Sequence, residues 1–253
     1  MKLRLLQELR WVARDLLLTV FPCRCTVCQN RLETFEKHIC TSCYSLLPFT
    51  RLHGEQGNIV ERLFWERIPI ERANSFIRYL PDTNSSRIIK SLKYYNKPGI
   101  GIFFGRAMAN DLRDTDFFND INLIIPVPLH PNKLRHRGYN QSTQLALGVS
   151  QITGIPVRED IIERIKETDT QTKKSHTERR ENMEGAFKKI NDDAVKGQHI
   201  LIIDDVITTN ATLLSCAKEL VRKSPNTRIS ILTLGLAGFH PLITKAPIIL
   251  PNP

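Results

Sequence analysis

The stretch HILIIDDVITTNATL, His199 to Leu213, sets two adjacent carboxylates between an aliphatic run and a threonine-rich turn that leads into an apparent helix. Asp204 and Asp205 would repel a phosphate, but as paired acceptors they suit hydroxyl groups such as a vicinal diol. The turn after them has the opposite preference. Across Val206, Thr208, Thr209, Asn210, Ala211 and Thr212 it offers hydroxyls and successive backbone N–H groups at a helix N-terminus, where a phosphate is favoured. Together the two halves describe a reader of a sugar phosphate, with the diol on the acids and the phosphate on the turn. One aspartate would be enough to cap the helix, so the second points beyond capping. The chain has neither G-x-x-x-x-G-K-[ST] nor G-x-G-x-x-G, so the triphosphate and dinucleotide readings lack their residues.

Two further segments carry clustered cations. PVPLHPNKLRHRGYNQST, Pro126 to Thr143, follows a strand-like run and holds Lys133, Arg135, His136 and Arg137 ahead of Gly138 and Asn140. Such a loop grips a pyrophosphate through charge-assisted hydrogen bonds, touches a nucleic-acid backbone, or is simply a solvated basic loop. KETDTQTKKSHTERRENMEGAF, Lys166 to Phe187, has no large aliphatic residue before Met183. A stretch of that kind is either a disordered insertion or a lid, and Lys173, Lys174, Arg179 and Arg180 favour a lid over an anionic substrate.

Five of the six cysteines fall between positions 23 and 43. Cys25-x2-Cys28 and Cys40-x2-Cys43 have the spacing of two knuckles that bring four thiolates to one tetrahedral ion, with structural zinc the expected occupant; a redox or iron–sulfur site and free thiols are the alternatives. A closed four-sulfur site has no open position for catalysis. Cys23 is left outside it, and Cys216 is read as a small buried apolar residue.

The elements that must position these groups read as alternating strands and helices. Strands are expected at Asn74–Leu80, Ile121–Leu129, Ile155–Ile165, Leu201–Asp205 and Arg228–Leu236. Helices are expected at Ser85–Tyr95, Ile100–Leu112, Gln141–Thr153 and Ala211–Lys223, with no clear period over 44–70. Near-continuous apolar strands interleaved with helices predict an α/β fold with a mostly parallel sheet covered on both faces, whose ligands bind at the strands' C-terminal ends.

With 41% hydrophobic and 25% charged residues the composition is globular, and no run approaches the ~18 apolar residues of a membrane span. Glu8, Arg10, Arg14 and Asp15 interrupt what would be a signal peptide, so residues 1–22 read as an amphipathic helix, packed on its own protein or lying on a membrane surface, and the chain as cytoplasmic. A formal charge of +10 favours a polyanionic partner, nucleic acid or a phosphate-rich small molecule. The expected organisation is a zinc module at 23–50 and an enzyme-like domain at 51–253, with its core at about 74–240.

PVPLHPxxxRxRGxNQS, an RxxNxxGAF element and DDVxTTxAT, preceded by paired CxxC knuckles and an LKY helix, occur here in one order; together they resemble the ComF/GntX family of competence-related, phosphoribosyltransferase-like proteins. The resemblance runs from Cys25 to about Leu236 and implies a type I phosphoribosyltransferase-like fold that binds 5-phosphoribosyl-1-pyrophosphate (PRPP). It implies that Asp204 and Asp205 meet the ribose hydroxyls and Thr208–Thr212 the 5-phosphate. Arg137 and its neighbours would meet the pyrophosphate, with Gln171 and Arg179 or Arg180 on the mobile loop. It further implies magnesium bridging pyrophosphate and ribose oxygens, and a role in DNA uptake or use. The family usually has glycine where this chain has Asn210, which predicts a positive φ there, and asparagine tolerates that region better than other side chains. Three functions remain in play: a phosphoribosyltransferase with an unnamed acceptor, a PRPP sensor without turnover, and an accessory protein binding single-stranded DNA or DNA-uptake partners.

Overall fold

The computed structural model describes residues 23–94, 97–167 and 185–238. The expected N-terminal helix and the lid residues Gln171, Arg179 and Arg180 lie outside the described residues. The chain divides into two compact units, Met1–Leu47 and Pro48–Pro253.

In the first unit a tight turn at Cys25–Cys28 is followed by the short helix α1, Thr41–Ser45, whose N-cap is Cys40. The second unit is built on a four-stranded parallel sheet, with β1 (Arg72–Tyr79), β2 (Leu123–Pro126), β5 (His199–Ile207) and β6 (Arg228–Ala237) in the order β1-β6-β5-β2. The two central strands are almost wholly buried, which accounts for their unbroken aliphatic runs. Side-chain alternation divides them between two faces. Leu123, Ile125, Ile200, Ile202, Ile229 and Ile231 pack with α2 (Ile59–Arg62), α7 (Ala211–Val221) and a small antiparallel hairpin of β3 (Ile162–Arg164) and β4 (Phe187–Lys189). The other face is covered by α3 (Asn84–Tyr94), α4 (Pro98–Asp111) and α6 (Gln141–Thr153).

The helices α4 and α6 cross at glycines. A Cβ on Gly105 would meet the Leu145 carbonyl oxygen and, at 2.9 Å, the Cα of Gly148; one on Gly148 would meet the Ile102 carbonyl oxygen and, at 2.8 Å, the Cα of Gly105. This backbone contact fixes the start of α6, which faces the end of β5.

Several expected elements shift. Residues 131–137 form a helix, α5 (Pro131–Arg137), where a loop was expected. His130 caps it through Nδ1, Pro131 opens it and Gly138 closes it at φ 78°, but at seven residues it is too short to show a helical period. The region Ile155–Ile165 gives only β3, which pairs with β4 and not with the main sheet, plus an isolated bridge from Val157 to Ile124. β5 runs from His199 through Ile207, longer at both ends than the expected Leu201–Asp205, so the two aspartates lie inside the strand and not at its last residues.

Candidate PRPP site and cysteine cluster

Because successive strand residues point to opposite faces, adjacent aspartates late in β5 are sent in different directions. Asp205 turns toward α3 and pairs its Oδ2 with Lys93 Nζ at 3.0 Å. Asp204 keeps the parity of Ile200 and Ile202, on the face of α7 and the hairpin, and at the strand's end its Oδ1 accepts from the Ser142 hydroxyl in the first turn of α6 at 2.9 Å and from the backbone N–H of Asp205 at 2.8 Å. Burial, then repulsion from Asp205, push the Asp204 carboxyl up to about 7 against the pull of its donors and Lys93. The Lys93 ammonium is held above its ordinary range by Asp205, with burial opposing.

The turn beyond β5 has the backbone that the family resemblance implied. Asn210 adopts φ 53°, ψ −6° and leaves α7 with no side-chain N-cap bond. Its Nδ2 instead donates to the Leu63 carbonyl just past α2, a tie that glycine would not make. Asn210 is therefore engaged with its own protein. Thr208 is exposed, Thr209 and Thr212 are half-buried, Val206 is partly accessible and Ala211 is buried.

The basic segment separates into groups with different tasks. Arg137 lies over the Tyr94 ring at 5.7 Å and donates to Gln141 Oε1 at 3.1 Å. It is close enough to Lys93 and Arg164 to disfavour their charged forms. Arg135 is exposed and donates to Asn132 on its own helix. Asn140 is buried as the N-cap of α6: its Oδ1 accepts from the Ser142 N–H at 3.1 Å and its Nδ2 donates to the Val127 carbonyl at 3.0 Å. It positions the helix that brings Ser142 to Asp204. Reading the sequence for charged loops missed three residues. Lys93 lay inside the LKY helix and Ser142 inside NQS, so both were on view as motif letters without a role. Arg164 had no signal: it reaches the field of Asp204 from β3, stacked 5.5 Å from the Phe187 ring.

In the first unit the sulfurs of Cys25, Cys28, Cys40 and Cys43 lie within 4.8 Å of one another, and Cys23 is exposed outside the group. A tetrahedron with metal–sulfur bonds of ~2.3 Å has edges of about 3.8 Å. The Cys28–Cys40 separation is 3.8 Å. Burial works against the Cys25 thiolate, but N–H groups of Cys28, Cys40 and Val27 outweigh it and bring the thiol down to about 7. The four side chains are thus arranged to hold a metal ion such as zinc. They are the only group of three or more ligating side chains to converge among the described residues. Cys216 is fully buried in α7, as expected of an apolar residue. No helix among the described residues is long and apolar enough to cross a membrane.

No family profile matches the chain. Among solved structures it is similar to glutamine PRPP amidotransferase from B. subtilis complexed with ADP and GMP, at 16% identity and a TM-score of 0.38, over 57% of this chain and 30% of that one. That likeness is too partial to transfer chemistry. Sequence relatives are nearer. The chain is 31% identical over 204 residues to Competence protein F of Haemophilus influenzae, covering 79% of this chain and 84% of that protein. It is 30% identical over 206 residues to DNA utilization protein YhgH of Escherichia coli, covering 80% and 86%. With likeness at that level over most of both partners, the chain belongs to the ComF family of competence-related proteins.

Proposed function

We propose that the C-terminal end of β5 is a PRPP site, in a phosphoribosyltransferase-like protein that serves DNA uptake or use. One observation carries the reading: two acids divided between the faces of one strand are followed directly by a left-handed turn and a helix whose N-terminus no side chain of Asn210 caps. The acids suit the ribose diol, and the turn at Thr208–Thr212 suits the 5-phosphate. Arg137 supplies charge for the pyrophosphate from the neighbouring strand end. Asp204 and Asp205 alone make an incomplete divalent site, which fits a magnesium ion that arrives with most of its ligands on the substrate. When bound, that ion would offset the crowding of negative charge. In turnover, pyrophosphate would leave the anomeric carbon and a nucleophile would take its place, with Asp204 and Asp205 holding the sugar while charge develops on the ring.

Titration calorimetry with PRPP and magnesium tests the reading. Binding that is lost in Asp204→Ala and Asp205→Ala supports it, and absence of heat from the wild type at millimolar PRPP rejects it. A product assay on the same samples separates turnover from sensing. The relatives named for DNA utilization and competence, together with the +10 charge, favour single-stranded DNA as a second partner, whose binding should weaken steeply with salt. For the cysteine cluster we propose structural zinc. Protein purified without chelator should carry about one zinc per chain, and markedly less would exclude the assignment.

A further inference from the structure

We propose that Lys93 is a pyrophosphate ligand of this pocket, held against Asp205 until the sugar diol takes that carboxylate. The inference rests on the PRPP reading above and adds a residue from α3, an element outside both the acidic turn and the basic segment. Three contacts place it. Lys93 Nζ lies 3.0 Å from Asp205 Oδ2, and its side chain is 27% exposed. Its neighbour Tyr94 lies under Arg137, 5.7 Å from ring centroid to guanidinium carbon. Its other neighbour, Leu92, accepts a hydrogen bond through its carbonyl from the Tyr139 hydroxyl at 2.7 Å. The last turn of α3 is thus tied on both sides of Lys93 to the segment that carries Arg137. Lys93 is paired with Asp205 and lies within the electrostatic reach of both Asp204 and Arg137, the cation expected to meet pyrophosphate.

A diol that hydrogen-bonds to Asp205 competes with the ammonium for the same oxygens. A lysine is a flexible point charge whose head moves several ångströms by rotamer changes alone, so it can turn to an incoming anion. Without such an anion, Lys93 neutralises Asp205 and keeps the two adjacent carboxylates from repelling each other at full strength.

Two ligands separate this role from simple support of Asp205, because ribose 5-phosphate offers the same diol and 5-phosphate as PRPP but no pyrophosphate. Calorimetry of the full chain with each ligand and magnesium, on wild type, Lys93→Met and Lys93→Arg, reads the difference. The Met variant should bind PRPP ~10–100-fold more weakly, the loss typical of one charge-assisted hydrogen bond, while ribose 5-phosphate binds within ~3-fold of wild type or more tightly. Lys93→Arg should recover most of the PRPP affinity. Equal weakening for both ligands would show that Lys93 only orients Asp205, and unchanged PRPP affinity would show no contact; either overturns the proposal. A wild type that binds neither ligand refutes the pocket itself, a failure visible before any variant is compared. If melting shows the Met variant unfolded, Lys93→Gln takes its place, and the same pattern of affinities supports or overturns the role.

Discussion

Replacing Asp204 by asparagine keeps an oxygen for Ser142 and for the Asp205 N–H but removes a charge that the fold disfavours. The carboxyl moves from 3.8 in the ordinary state to about 7 in the folded one, chiefly through burial and then through Asp205. Between those values the unfolded chain has released the proton while the folded chain retains it. Stability therefore falls as pH rises through this window, and the whole penalty stands above about pH 7. About three units at 1.36 kcal/mol each set a ceiling of about 4 kcal/mol. Asp204 is only partly buried at an open strand end, where water screens the field, so roughly half of that is expected. Asp204→Asn should then be more stable than wild type by about 2 kcal/mol at about pH 8, or roughly 4–8 °C in Tm for a unit of this size, while the two melt together near about pH 4. Melting curves by circular dichroism at several pH values provide the assay. A difference that stays constant with pH, or a variant less stable at about pH 8, would refute the claim that Asp204 is held against its own ionisation. The same substitution should weaken PRPP binding, the usual trade of stability against function at a polar site.

Gly148→Ala places a methyl against the Ile102 carbonyl and the Gly105 backbone, where no flexible side chain can give way. We expect a loss of at least about 2 kcal/mol in chemical denaturation. Asn210→Gly keeps the left-handed turn but leaves the Leu63 carbonyl without its donor, a loss of about 1 kcal/mol. Asn210→Ala adds the steric cost of a positive φ, about another 1 kcal/mol, so Tm should fall in the order wild type, Gly, Ala.

The helix Gln141–Thr153 was legible to the residue, because thirteen residues with a helical period run up to Gly154, which ends it. The strand cores were equally plain, since short unbroken aliphatic runs have few other uses in a globular domain. The four-sulfur cluster also followed from local chemistry, two knuckles at metal-binding spacing, whereas the positive φ of Asn210 was implied by the family resemblance, which puts glycine at that position. α5 stayed hidden because seven residues, about two turns, are too few to show a period, and the role of Asn140 stayed hidden because a cap and a ligand use the same amide.

What the sequence by itself determined is therefore whatever depends on neighbours along the chain: most of the elements and the cysteine pairs. Only the tertiary structure decided which groups meet. Asp204 and Asp205 are adjacent in sequence, yet the strand's pleat sends one to Ser142, 62 positions upstream, and the other to Lys93. Such partners are set by helix packing across a sheet, through contacts like Gly105 against Gly148, and no local period records them.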